Sequence, residues 1–480
     1  MSYSDFDDFN DLSNSESMDE KIKRYSKLLK IRKLGYLDSV NYEVPDLDTI
    51  ENIVNYCLEN NKNKEALNFC DLWIDLAPYS ADAWLKKAIA LINLDDYNEA
   101  LKSVNYSLEL NPNDSEALIN KSIALDNLNQ SKKALSVINY AVKLYPTNEE
   151  VLFQKGLILE SNNKFLSAVK IFEFLMHNDS LRKDCYIELG ICYQHLKNYE
   201  ESIKYYDLAI EEDPFDYSIW HNKGICYHQN RKYLKAIDAF DMALAIKEDF
   251  FLCWFNRANS LLSLGKLNEA LNSYFEALKY QPEDIDTLYN IAGIYTDLGY
   301  YLKGIAYFTN ILSIEPNHFG ALFGRGICYD AIEKFNEALK DFNKALKLNK
   351  SNPDLWYYKA DLLYNINKIE ESLYCYSKVL ELEPGNIDCL NDYGNTLIEL
   401  KKYDEALTTF LQIIDIKPEM TEANVKIAMI KALMNDYREA AKYISQAILI
   451  DPDIENIYEI HFNEYLTKEQ ITQIKKYLKK

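Results

Sequence analysis

The stretch YSIWHNKGICYHQNRKYLKAIDAFDMALAIKED, residues 217–249, holds two helical faces in thirty-odd residues. Trp220, Gly224 and Tyr227 stand at i, i+4 and i+7, one side of a first helix, and Ala236, Phe240 and Ala243 repeat that spacing on a second. The polar run His228–Lys232 between them marks a turn, so the segment predicts a helical hairpin. Its tetrapeptide GICY, Gly224–Tyr227, also occurs at Gly190–Tyr193 and Gly326–Tyr329, displaced by one and by three periods of 34 residues. The prolines keep the same interval: Pro78, Pro112, Pro146, Pro214, Pro282, Pro316, Pro384, Pro418 and Pro452 are separated by multiples of 34, with Ser180, Glu248 and Lys350 on the remaining beats. A fixed period of this size predicts a solenoid of stacked hairpins.

With the proline as position 32, units begin at Ala81, Ser115, Glu149, Lys183, Tyr217, Phe251, Ile285, Phe319, Pro353, Ile387 and Thr421, and a looser one at Leu47. This pattern resembles the tetratricopeptide repeat: a large residue at 4, a small one at 8, an aromatic at 11, Ala at 20, an aromatic at 24, Ala at 27 and Pro at 32. The resemblance covers residues 47–454. It implies an all-α, right-handed α-solenoid (superhelix) of about twelve helix-turn-helix units with helical caps, in a long all-repeat protein without an attached catalytic domain.

The residue chemistry agrees. Small residues at 8, 20 and 27 let two backbones approach where helices cross, and the proline, having no N–H to donate, suits a helix end. One hairpin cannot bury its apolar face alone, so neighbours must stack. Position 7 departs from the family pattern, with Lys87, Lys121, Lys155, Lys223, Arg257, Arg325 and Lys359. These read as long stems packed between helices, their charged tips reaching water or a neighbouring carboxylate. The GICY cysteines Cys192, Cys226 and Cys328 share position 10 with Ala90, Ala124 and Ile158, a site that asks for an apolar filler.

Composition narrows the function. A net charge of −22 opposes nucleic-acid binding, which needs clustered Lys and Arg. Nine scattered Cys without a CxxC pair suit a reducing compartment, and no apolar run is long enough to span a membrane, so a cytoplasmic location is expected. Residues 1–20, with seven acids and no base, read as a disordered acidic arm, and 21–46 as a basic helix and linker forming an N-terminal cap. Residues 47–454 are then twelve tandem repeats, and 455–480 C-terminal capping helices. There Tyr458, Phe462 and Tyr465 point inward, and Thr467 to Gln470 makes a capping box.

No nucleotide-binding, nucleophile-elbow or zinc-protease motif is present, so neither an enzyme nor a cofactor is expected. His195, His221, Cys226 and His228 are the nearest approach to a metal set. However, His221 and His228 lie about 10 Å apart by helical rise, too far to share an ion.

The surface that remains is the row of first helices, which in this family lines a concave face. Position 5 reads Leu85, Ile119, Phe153, Ile187, His221, Phe255, Tyr289, Phe323 and Tyr357, an apolar and aromatic stripe, with Asn120, Asn222, Asn256 and Asn290 beside it at position 6. An amide offers both donor and acceptor. The resemblance implies a peptide-binding groove in which Phe153, Phe255, Tyr289, Phe323 and Tyr357 anchor side chains while Asn222, Asn256 and Asn290 hold a backbone. Position 2 is mostly acidic (Asp82, Glu116, Glu150, Asp184, Asp286, Asp354, Asp388 and Glu422), which favours a neutral or basic partner segment. It also lacks the cations that clamp a chaperone's C-terminal carboxylate. The expected role is a protein-interaction scaffold, with self-assembly through outer faces or an exposed Phe250–Phe251 pair as the alternative.

Overall fold

The computed structural model describes residues 17–33, 45–452, 462–463 and 465–478, all-helical with no strand among them. Most of the expected acidic arm, the linker at 34–44 and Tyr458 lie outside the described residues. The chain divides into two compact units, Met1–Asp249 and Phe250–Lys480. Each holds six hairpins in chain order.

Every hairpin is built alike. In repeat 217 the first helix is Tyr217–Gln229 and the second Tyr233–Ile246; in repeat 319 they are Phe319–Ala331 and Phe335–Leu348. First helices are started by position 34 of the preceding unit. The side chains of Ser80, Asp114, Asn148, Asp284, Asn352 and Asn386 each accept the N–H three residues on, satisfying a donor that the helix leaves unpaired.

First helices end on one left-handed residue at position 15: Asn61, Asp95, Asn129, Asn163, Lys197, Arg231, Gly265, Gly299, Glu333, Asn367, Lys401 and Asn435, with φ between 56° and 75°. The next N–H folds back to the carbonyl of position 11, as Lys62 to Cys57 (2.8 Å), Lys232 to Tyr227 (2.9 Å) and Lys334 to Tyr329 (2.8 Å). This is the Schellman closure that turns the chain into the second helix.

The small residue at position 8 has a specific partner. A Cβ on Gly156, Gly190, Gly224, Gly326 or Gly394 would stand 2.4–2.7 Å from the ring at position 24 of the same hairpin: Phe172, Tyr206, Phe240, Phe342 and Phe410 respectively. These rings are fully buried, as are the alanines at positions 20 and 27. All nine cysteines are buried and unbridged. Burial pushes the thiols of Cys57, Cys70, Cys185, Cys226, Cys328, Cys375 and Cys389 upward, so they are inert fillers.

At the N-terminal end, the helix expected from residue 21 begins at Met18. A capping box moves the boundary: Ser17 N–H donates to Glu20 Oε2 (2.9 Å) while Glu20 N–H returns to Ser17 Oγ. Asp19, expected in the arm, pairs with Lys62 of the first repeat. At the other end the Thr467–Gln470 box forms (Thr467 N–H to Gln470 Oε1, 2.9 Å), starting the helix Lys468–Leu478. Phe462 is buried in the terminal core, whereas Tyr465, expected inward, is 39% exposed with Lys426 over its ring.

Candidate protein-interaction face

Within Phe250–Lys480, the four aromatic residues at position 5 share one arrangement. Each ring sets an edge against the position-24 ring of its own hairpin, 19 residues on: Phe255 on Tyr274 (5.9 Å, 61°), Tyr289 on Phe308 (5.9 Å, 63°), Phe323 on Phe342 (6.1 Å, 62°) and Tyr357 on Tyr376 (5.8 Å, 64°). In Met1–Asp249, Phe153 meets Phe172 in the same way (5.4 Å, 62°). The expected anchors are therefore half-committed: one edge seals the hairpin, and the rings stay only partly buried. Tyr289 is 40% exposed, and its ring lies over Gly320, where a Cβ would come within 2.9 Å. Phe323 carries Tyr358 on a second side at 5.4 Å.

The amides at position 6 are used within the fold. Asn290 donates to the Tyr274 hydroxyl, which donates on to Asn259. Asn222 bonds the imidazole of His221, and Asn120 donates back to the Glu116 carbonyl (2.8 Å). An amide has capacity for further bonds, so these side chains are oriented by the first bond for a second.

The sequence reading found the acids at position 2 but overlooked those at positions 6, 9 and 12. Stacking brings Asp392, Asp361 and Asp330 together from three successive hairpins, close enough that Asp361 feels both of the others. Burial raises all three carboxyls above the ordinary range. The Tyr357 hydroxyl donates to Asp392, and Tyr376 to Asp361. In Met1–Asp249 a comparable pair, Glu160 and Glu188, hydrogen-bonds carboxyl to carboxyl, and burial together with mutual repulsion raises Glu188 far above the usual range.

The position-7 cations do not line this face as a basic strip. Lys87 bridges to Asp71 (2.8 Å) and Lys223 to Asp207 (2.5 Å), both at position 25 of the preceding repeat, while Arg325 forks onto the buried Asp341 (2.7 and 2.9 Å). Their ammonium groups also lie over indole rings, Lys87 over Trp84 (5.4 Å) and Lys223 over Trp220 (4.9 Å). The histidines are separated as well: His195 stacks on Phe165 (4.6 Å), His228 meets Tyr233 and His221 is buried against Phe240. Burial lowers His221 to about 4.

Models of tetratricopeptide repeats match residues 184–216, 205–238, 285–318, 320–352, 353–386, 375–408 and 421–454, and a TPR repeat model matches 258–299. The N-terminal TPR repeats region of psidin matches 52–155. The chain is a tetratricopeptide repeat protein. No curated protein matches it. Among solved structures it is similar to YrrB, a TPR protein with an unusual peptide-binding site, at 22% identity over 40% of this chain and 97% of that one (TM-score 0.36). It is also similar to a tetratricopeptide repeat protein from Parabacteroides merdae at 20% identity over 54% and 98% (TM-score 0.39). A third is in the APC/C hetero-tetramer Cut9-Hcn1, at 13% identity over 94% and 99% (TM-score 0.38). At these identities and scores the similarity says nothing of what this tetratricopeptide repeat protein binds. Among its described residues no helix is long and apolar enough to cross a membrane.

Proposed function

We propose that this tetratricopeptide repeat protein is a protein-interaction scaffold in which the first-helix face of Phe250–Lys480 holds an extended or helical partner segment. The observation that carries this reading is the column Phe255, Tyr289, Phe323 and Tyr357, whose inner edges are fixed by a second ring while Tyr289 presents 40% of its surface to water. Rings held on one edge lose little entropy on binding, which favours capture of apolar side chains. Phe153 and Asn222 belong to Met1–Asp249 and offer that unit a smaller version of the same face. Asn256 and Asn290, beside the column, serve a bound backbone.

Charge selects the segment. Asp286, Asp354 and Asp388 rim the face, and the half-buried Asp330, Asp361 and Asp392 gain by meeting a cation, so a neutral or basic segment is preferred. Self-assembly through the Phe250–Phe251 pair finds less support, because both are half-buried and Phe251 lies against Phe255 (6.2 Å).

The test is a quantitative pull-down with the whole chain and with Phe255→Ala/Tyr289→Ala. Each substitution removes an edge-to-face pair of about 0.5–1.5 kcal/mol, so Phe255→Leu/Tyr289→Leu accompanies it to keep bulk at both hairpins. Loss of a partner from both variants, with melting curves still cooperative, supports the groove. Undiminished capture by both refutes it.

A further inference from the structure

On the second-helix side of Phe250–Lys480, a cleft of about 490 Å³ opens between the second helices Phe335–Leu348 and Ile369–Leu382. Its lining includes Trp356, Tyr374, Lys347, Lys350, Lys359 and Lys378. Four lysines around two aromatic rings stand out in a chain of net charge −22. We propose that this cleft is a docking site for an acidic peptide segment carrying an apolar side chain, distinct from the first-helix face.

Other repeats of the same chain supply the comparison. At the Trp84 and Trp220 seams the position-7 lysine meets a carboxylate at position 25 of the preceding repeat, Asp71 or Asp207, and position 29 is also acidic, Asp75 or Glu211. At the Trp356 seam each of these acids is replaced. Position 25 is Asn343, whose neutral amide takes Lys359 at 2.8 Å; position 29 is Lys347; and position 32, proline at the other two seams, is Lys350. Only Glu381 offers a carboxylate to the cleft, and it already holds Lys378 (2.6 Å). Among the described residues Lys347 and Lys350 make no ion pair, and both are exposed. The carboxylates that the Trp84 and Trp220 seams supply internally are missing here, and a ligand with two or more of them completes the seam.

The aromatic half of the lining decides what lies between the charges. The Trp356 indole N–H is already spent on the Lys350 carbonyl (2.9 Å), which fixes the ring. Tyr374 stands edge-on to it at 6.3 Å and is 57% exposed. Leu346 and Leu382 extend the apolar surface. A mineral anion would leave these groups uncovered, whereas an apolar residue flanked by acids covers them. Nucleic acid is disfavoured because the rest of this acidic chain repels a long polyanion, while a short acidic peptide meets only the local field.

The probe is a labelled acetyl-Glu-Asp-Phe-Glu-Asp amide, titrated against the whole chain at low ionic strength and followed by fluorescence anisotropy. The expected result is saturable binding weakened about tenfold or more by Lys347→Glu/Lys350→Glu, because two attractive contacts become repulsive. Lys401→Glu/Lys417→Glu, which makes the same change in net charge elsewhere in the unit, should leave it intact. The Gln-Asn-Phe-Gln-Asn analogue should bind no better to the parent than to the first variant. Four results would overturn the proposal: no binding at millimolar peptide, equal weakening by both variants, equal binding of the analogue, or tighter lysine-dependent binding of single-stranded RNA or inorganic phosphate.

Discussion

Replacing Gly326 by Ala should loosen its hairpin, although the same exchange at Gly293 should tighten it. Both glycines lie inside first helices of Phe250–Lys480, where Ala is favoured over Gly by about 0.8–1.0 kcal/mol. At Gly293 the added Cβ meets nothing within 4 Å, so the helix gain stands alone. At Gly326 it would lie 2.4 and 2.6 Å from two carbons of the Phe342 ring. That ring has no exposed surface, and Phe323 leans on it, so it cannot retreat without moving a second aromatic. Overpacking of this kind costs about 1–3 kcal/mol. The helix gains cancel between the two variants, so their difference isolates the packing cost, about 1–3 kcal/mol. A repeat array need not melt as one unit, so the assay is hydrogen exchange of peptides from residues 285–314 and 319–348. Protection should rise about fivefold in the first segment of Gly293→Ala and fall in the second segment of Gly326→Ala. Equal gains in both would refute the close contact between position 8 and position 24.

Acid should weaken the first unit through His221, whose pKa falls from about 6.5 unfolded to about 4 folded. The unfolded chain binds the extra proton, so stability is full above pH 6.5 and is lost as pH drops toward 4, by up to about 3 kcal/mol. His221→Phe, which copies Phe255 and Phe323, should flatten that part of the pH profile of repeat 217 in hydrogen exchange. Glu333 holds a left-handed conformation at φ 60°, and Glu333→Gly should raise the stability of repeat 319 by about 1 kcal/mol, read in chemical denaturation or local exchange.

The period made the hairpins legible in the sequence because each position is sampled a dozen times, and one exception such as Ser180 among the prolines does not hide it. The cysteines were legible for the same reason: Ala90 and Ile158 at their position reveal an apolar filler. The left-handed residue at position 15 was hidden, since Asn, Asp, Lys, Arg, Glu and Gly all serve there; the demand is made by the Schellman closure rather than by side-chain type. The position-5 residues were recognised as a stripe, but their partners 19 residues away belong to the opposing helix, and only the hairpin geometry shows that one edge of each ring is already used. Asp330, Asp361 and Asp392 escaped notice because they occupy three different positions of the repeat and meet only through stacking.

The most direct test of the scaffold reading places the photocrosslinker p-benzoylphenylalanine at position 289 or, as a control, at position 302. Tyr289 is 40% exposed on the first-helix face, and Leu302 is 70% exposed on a second helix of the same unit. Irradiated in cell extract, the chain carrying the probe at 289 should give a discrete adduct with a partner that is absent from the 302 chain. An adduct from 302 alone, or none from 289, would contradict the account.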